Sequence, residues 1–275
     1  MKNDEELRHL QLTELLIAKE VKRICEKHRI RYYMVGGTLL GSIRHGGFIP
    51  WDDDIDFAMA RSDYDYFCDV CKTELHEPFV LQTWDTDENY PFSYGKVRLK
   101  NTLIEEPFVS GILPAENGIF IDIFPYDNIP DQKLKKLIHK AGWFFYNRAL
   151  WMKKGYGRTI KEEGIKQKAK YVFASAIIRL LPYNYIKQRF NKLLRRYNNS
   201  ETSCLAFDGV YSYEKNSIRR EWMAPEKQYQ FEDTEFMSFS DYDAYLCHMF
   251  GDYMKLPPVS QRHSHDIKKV VFGDY

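Results

Sequence analysis

Apolar positions recur at helical spacing through residues 4–28, where Leu10, Ile17, Val21, Ile24 and Cys25 stand among charges. That spacing predicts an amphipathic helix packed on a sheet. Residues 30–35 are β-branched and aromatic and stop at Gly36-Gly37, so a strand delivers two glycines to a sheet edge. Glycine there permits positive φ and close approach of backbone to a ligand. A short helix over 38–44 follows, with N–H groups free to meet a phosphate. Residues 55–59 read as a strand, and Ser62 or Asp63 caps a helix running to Leu75. A strand over 79–84, a hairpin of 94–100 with 102–105 around Asn101, and a strand over 119–124 come next. From 131 to 199 the pattern is helical. Near the end, Ser240-Asp241-Tyr242-Asp243 has the capping-box pattern with Phe239 as staple, before a helix through Phe250 that Gly251 closes and Pro257-Pro258 cannot continue.

Acidic residues interrupt this pattern at two places. In Trp51-Asp52-Asp53-Asp54-Ile55-Asp56-Phe57, strand periodicity puts Asp54 and Asp56 on one face and Ile55 and Phe57 on the other, with Asp52 just before. Two carboxylates on one face repel each other unless a divalent cation lies between them, and Mg²⁺ takes such oxygens together with substrate phosphates. Asp122 is a lone acid in the apolar run Ile119-Phe120-Ile121-Asp122-Ile123-Phe124. Burying it without a partner costs several kcal/mol or shifts it toward the neutral form. A cation shared with Asp54 and Asp56 would be that partner; the alternative is a carboxylate facing water at a strand edge. Lys96, Arg98 and Lys100 alternate onto one face, which either lines a phosphate site or is solvated.

The formal net charge of +1 conceals two opposed parts: residues 132–199 hold 18 Lys and Arg against Glu162 and Glu163, so this segment is +16. An acidic, cation-using core therefore stands beside a basic surface for an anionic partner. Residues 169–181 are apolar but too short to span a bilayer, and Lys187, Arg189, Lys192, Arg195 and Arg196 follow. Basic residues flanking an apolar face fit a helix lying in a membrane interface better than a merely solvated subdomain. Nucleic-acid binding ranks last, because no recognised motif accompanies the basic segment. The five cysteines fit a reducing compartment, Cys68-Asp69-Val70-Cys71 lacks a second pair, and His263 and His265 lack a third metal ligand. The polar start, without a signal peptide, predicts a cytoplasmic protein, and the basic segment predicts that it is peripheral at a membrane surface.

The run 36–56, Lys96-Val97-Arg98 with Asn101-Thr102, the strand 120–125 and Phe250-Gly251-Asp252-Tyr253-Met254-Lys255-Leu256-Pro257-Pro258 resemble blocks of the LicD family, phosphocholine transferases related to fukutin. The resemblance implies an α/β (α+β) fold: a nucleotidyltransferase-like core with a small mixed sheet flanked by helices. Residues 1–130 would form the catalytic core, 131–200 a basic helical insertion and 201–275 the completion of the core. It implies Mg-dependent transfer of phosphocholine from CDP-choline to a hydroxyl of a lipid-linked glycan precursor of teichoic-acid or lipopolysaccharide type, with CMP released. Asp54, Asp56 and Asp122 would then be the catalytic and metal residues, holding one or two Mg²⁺ or Mn²⁺. Gly36, Gly37, Thr38, Arg44, His45, Asp52, Lys96 and Arg98 would bind substrate. Choline is expected in an aromatic pocket, with Trp51, Trp84, Tyr90, Phe92 and Tyr94 available. Transfer of another phospho-alcohol or a nucleotidyl group, or a non-catalytic membrane scaffold, are the alternatives.

Overall fold

A computed structural model of the chain describes residues 4–105, 116–153, 178, 180–209, 211–264 and 267–275. The predicted first helix is α1 (Asp4–His28). The strands to residue 129 are β1 (Tyr33–Met34), β2 (Asp56–Ala60), β3 (Phe79–Gln82), β4 (Gly95–Leu99), β5 (Leu103–Glu105) and β6 (Phe120–Ile129). Five of them form one mixed sheet in the order β1-β2-β6-β4-β3. Only β2 and β6 run parallel; the other pairs are antiparallel. The far end of β6 continues onto β7 (Cys204–Ala206), which pairs with β8 (Ser217–Arg219). The architecture is the mixed α/β arrangement that the sequence led us to expect.

The expected hairpin at Asn101 does not form. Asn101 turns the chain with a φ of 62°. Both sides of β4 are already taken by β3 and β6, so β5 pairs instead with β11 (Lys269–Val271), beyond the hairpin of β9 (Lys227–Phe231) and β10 (Thr234–Ser238).

Helices connect and cover the sheet. The first after α1 is α2 (Gly36–His45), which begins at the two glycines themselves, earlier than the spacing predicted. Next, α3 (Arg61–Glu74) follows β2 without a break and has no side-chain cap. Asp63 is engaged elsewhere, accepting from Arg31 Nε at 3.2 Å. On α3, burial pushes the Cys68 thiol up to about 12, so the Cys68–Cys71 pair is not a thiolate site. Farther along, α4 (Lys133–Lys153) packs on α5 (Tyr183–Leu194), and Trp143, Ile186, Phe190 and Leu194 bury one another there. Of the apolar run 169–181, all but Ile178, Leu180 and Leu181 lies outside the described residues, as does His265. The last helix, α6 (Tyr242–Phe250), is capped by Asp241, whose carboxylate accepts from Ala244 N at 3.0 Å. Gly251 ends it with a φ of 70°.

The main core lies between α1, the sheet and the β9–β10 hairpin, where Phe57 meets Phe236 with ring centroids 5.1 Å apart.

Candidate active site

Strand register builds the site. Asp56 on β2 is the parallel partner of Asp122 on β6, and Asp122 is the antiparallel partner of Lys96 on β4. Residues in register on neighbouring strands point to the same face. Asp56, Asp122 and Lys96 therefore form one rung across three strands, although they are far apart in the chain. Asp54 and Asp52 lie in the segment entering β2 and act on the same rung. Burial first, then repulsion from Asp54, Asp122 and Asp52, holds the Asp56 carboxyl well above the usual range; Lys96 opposes them.

The structure thus brings together the three aspartates that the sequence singled out, but gives Asp122 a resident partner. Lys96 Nζ is 2.9 Å from Asp122 Oδ1 and 3.2 Å from the centre of the Phe120 ring. Lys96 is only 2% exposed, so it is neither a solvated residue nor one reaching outward to a phosphate. Arg98, also read as phosphate-facing, is turned into the protein, donating to Gln82 Oε1 and to Gly118 O, each at 2.6 Å. Alternation along β4 identified a shared face correctly. Lys96 and Arg98 are covered there and are structural or internal to the site, whereas Lys100, just past β4, pairs at the surface with Glu77 at 2.8 Å.

Among the described residues, no three His, Cys, Asp or Glu side chains converge as a ready-made metal cage. The acidic rung still suits a hard divalent cation. Mg²⁺ binds through one or two carboxylates and completes its shell with substrate phosphate and water. In a crowded, desolvated carboxylate such as Asp56, where Lys96 offsets the repulsion only in part, such an ion would favour the charged form.

The glycine turn sits against these acids. Gly36 has a φ of +56°, and a Cβ on it would stand 3.4 Å from Asp56 Oδ2. Its N–H donates to Tyr245 Oη at 2.8 Å. A Cβ on Gly37 would lie 2.5 Å from Asp52 Oδ2. Gly37→Ala should therefore displace Asp52 and lower turnover by about a hundredfold, which steady-state rates at unchanged melting temperature would show. Thr38 Oγ1 accepts from Asp56 N at 2.8 Å, so this hydroxyl positions the acidic strand.

On one flank, Arg44 donates to Tyr253 O at 2.7 Å and to His45 Nε2 at 3.0 Å. Burial and the nearby Arg262 lower its pKa, while Asp52 opposes them. Arg262 in turn lies 5.1 Å above the Trp51 ring. Arg44 and Arg262 thus lie within electrostatic reach of each other and of Asp52.

Other residues of the site were missed. Glu14 on α1 is 2% exposed. Its carboxyl is raised well above the usual range by burial and by Asp54, Asp53, Asp52 and Asp56. Gln11, one turn earlier, donates to Asp52 O at 2.8 Å, so α1 holds the acidic segment from behind. A signal was present, since Glu14 falls on the apolar stripe of Leu10, Ile17 and Val21.

Two cavities flank the sheet. A groove of about 870 Å³ between α3, β3 and α5 includes none of the three aspartates in its wall. A trough of about 590 Å³ runs between α4 and a wall of Gly209 and residues 211–214. Tyr211 on its wall senses Asp56, Asp54 and Asp52, and with burial as the larger cause its hydroxyl is pushed up to about 12.

Asp208 lies behind the trough and accepts from Ser93 Oγ at 2.6 Å and Asn147 Nδ2 at 2.7 Å. Burial outweighs those bonds and raises its carboxyl to about 6. A carboxyl with a raised folded-state pKa keeps its proton where the unfolded chain has lost it, so stability falls as pH rises from about 4 to about 6. Asp208→Asn is therefore expected to gain on wild type across that window, by on the order of 2 kcal/mol. Urea melts of the two proteins at pH 4 and pH 7 check the difference.

The chain matches the family model described as LicD/FKTN/FKRP, nucleotidyltransferase domain, over residues 29–175. It is 30% identical over 268 residues to the lipopolysaccharide cholinephosphotransferase LicD of Haemophilus influenzae, covering 96% of this chain and 97% of the relative. It is 41% identical over 118 residues to an uncharacterized protein of Rickettsia prowazekii, covering 36% and 42% of the two chains. A stretch of 46 residues, 17% of this chain and 9% of the relative, is 44% identical to human ribitol 5-phosphate transferase FKRP.

Proposed function

This chain belongs to the LicD/FKTN/FKRP nucleotidyltransferase family and is a phosphotransferase, and on that premise we propose that it moves phosphocholine from CDP-choline to a hydroxyl of a lipid-linked glycan precursor, of lipopolysaccharide or teichoic-acid type, releasing CMP. The observation that carries this reading is the rung Asp56–Asp122–Lys96, with Gly36 and Gly37 packed against its acids.

Asp54 and Asp56 would hold Mg²⁺, with Asp52 as auxiliary; when bound, the ion neutralises charge spread over the phosphate oxygens. The glycines let the pyrophosphate approach the backbone closely. Arg44, His45 and Arg262 hold the CMP phosphate as the bond from phosphorus to it breaks. Asp122, kept in place by Lys96 and 14% exposed at its side chain, takes the proton of the acceptor hydroxyl as that oxygen bonds to phosphorus.

The acceptor's lipid places the reaction at the inner face of the membrane. Supporting this, α4 exposes Leu134, Leu137 and Ile138 among Lys133, Lys135 and Lys136, a pattern suited to an anionic surface. Among the described residues no helix is long and apolar enough to cross a membrane.

A second donor reading, ribitol phosphate, has specific support in the 46-residue likeness to ribitol 5-phosphate transferase FKRP. Incubation with Mg²⁺ and CDP-choline, CDP-ethanolamine or CDP-ribitol, scoring released CMP against released free phospho-alcohol, separates the readings. CMP from CDP-choline is expected. Release of free phosphocholine in place of CMP would mark nucleotidyl transfer and overturn the reaction type, and CMP from CDP-ribitol alone would replace the donor alcohol.

A further inference from the structure

The trough along α4 has no part in the steps above, yet its inner end reaches the reaction centre from two sides. Tyr211 on one wall lies within the electrostatic reach of Asp56, Asp54 and Asp52. Trp151 on the other meets Phe92 edge-on at 6.2 Å, and Phe92 lies 5.7 Å from the Lys96 ammonium that pairs with Asp122. We propose that this inner end is the subsite for the donor's trimethylammonium group, with Trp151 and Tyr211 as aromatic walls and Asp208, behind Asn147, as counter-charge. The inference rests on the phosphocholine reading above.

Three features favour a quaternary ammonium. Aromatic faces attract a cation through the ring quadrupole, and methylated ammonium groups are held best by several rings at once. The wall carries a buried carboxylate close behind it, while the two cations on the trough, Lys140 and Arg148, are both engaged, Lys140 with Glu214. The third feature concerns hydrogen bonds. Both Asp208 oxygens already accept, from Ser93 and Asn147, leaving charge in the wall but little capacity for new donors. A trimethylammonium group has no N–H to satisfy. A primary ammonium has three, and would lose its water for few replacements.

This selects among the aromatics that the sequence offered. Trp51 stands under Arg262 on the opposite flank, and Trp84 packs on Phe190 beside Lys187. Of Tyr90, Phe92 and Tyr94, which pack on one another, Phe92 is in ring contact with Trp151. Trp151 and Tyr211 were not among them because the trough is made by α4 meeting the segment after β7, a contact that no local pattern encodes.

Calorimetric titration of the full chain in Mg²⁺ with CDP-choline, CDP-ethanolamine and CMP tests the subsite without an acceptor. Wild type should prefer CDP-choline over CDP-ethanolamine by about tenfold or more. Trp151→Ala and Tyr211→Ala should each reduce that preference to about twofold or less, with CMP affinity unchanged, whereas Tyr211→Phe should keep it. Tyr211 is 38% exposed, so its truncation leaves no core cavity and decides the outcome should the Trp151 variant also lose CMP. Retention of the wild-type preference in Tyr211→Ala would overturn the subsite. A wild type that binds CMP but gains nothing from choline would instead overturn the phosphocholine reading beneath it.

Discussion

Asp56→Asn is expected to lower turnover by about a thousandfold while raising the melting temperature by roughly 2 to 4 °C. The two effects have one cause. Asp56 is desolvated and faces Asp54, Asp122 and Asp52, with Lys96 opposing them. Its charge is thus unfavourable in the free protein and useful only when a cation and a phosphate arrive. Asparagine keeps the shape and the backbone N–H that Thr38 Oγ1 accepts, and removes only the repulsion. Trading stability for a pre-assembled charged site is a common feature of active centres. Differential scanning in the presence and absence of Mg²⁺ and CDP-choline gives an independent readout. Wild type should be stabilised by the pair through mass action and the variant should not. A variant that melts below wild type, or turns over at the wild-type rate, removes Asp56 from the centre proposed above.

Much of this centre could be read from the chain because its parts are locally encoded. The acids before and within β2, the glycines opening α2 and the lone Asp122 each break a hydrophobic pattern, and a break inside an apolar strand is a physical anomaly wherever it occurs. What alternation cannot reveal is the partner across a strand. It placed Lys96 and Arg98 on one face but not which strand would cover that face, so Lys96 was read as a phosphate ligand when it is Asp122's neighbour on the rung. The same limit explains β5, whose composition fits a hairpin but whose pairing was decided by β3 and β6 filling both sides of β4. Glu14 and Asp208 are a different case. Glu14 shows itself only by its place on the apolar stripe of α1, whereas Asp208 is an ordinary polar residue until the chain folds around it, with a partner as far as 115 residues away.

The other large effect is expected at the opposite end of the same strand pair. Five residues beyond Asp56 stands Arg61, and five beyond Asp122 stands Asp127, so the register that aligns the two aspartates also aligns this pair. Arg61 donates twice to Asp127, at 2.8 and 2.6 Å, and both side chains are buried. Asn198 adds a third bond to Asp127 Oδ1 at 2.6 Å. Asp127→Ala would leave a buried guanidinium without its counter-ion and is expected to cost about 3 to 5 kcal/mol, read as a fall in the urea midpoint at unchanged slope. Replacing both partners, Arg61→Met with Asp127→Leu, should recover most of that loss, less what Asn198 forfeits, because a matched apolar pair strands no charge. Arg61→Lys should recover little, since an ammonium cannot reproduce the two-pronged contact. A slip of one residue would turn Asp56 to the other face of the sheet. The ladder between β2 and β6 resists that slip once the chain is folded, so turnover of Asp127→Ala well below its melting temperature should stay near the wild-type rate. A folded variant with collapsed turnover would mean instead that the Arg61–Asp127 contact, rather than the ladder, fixes the rung on which Asp56 stands.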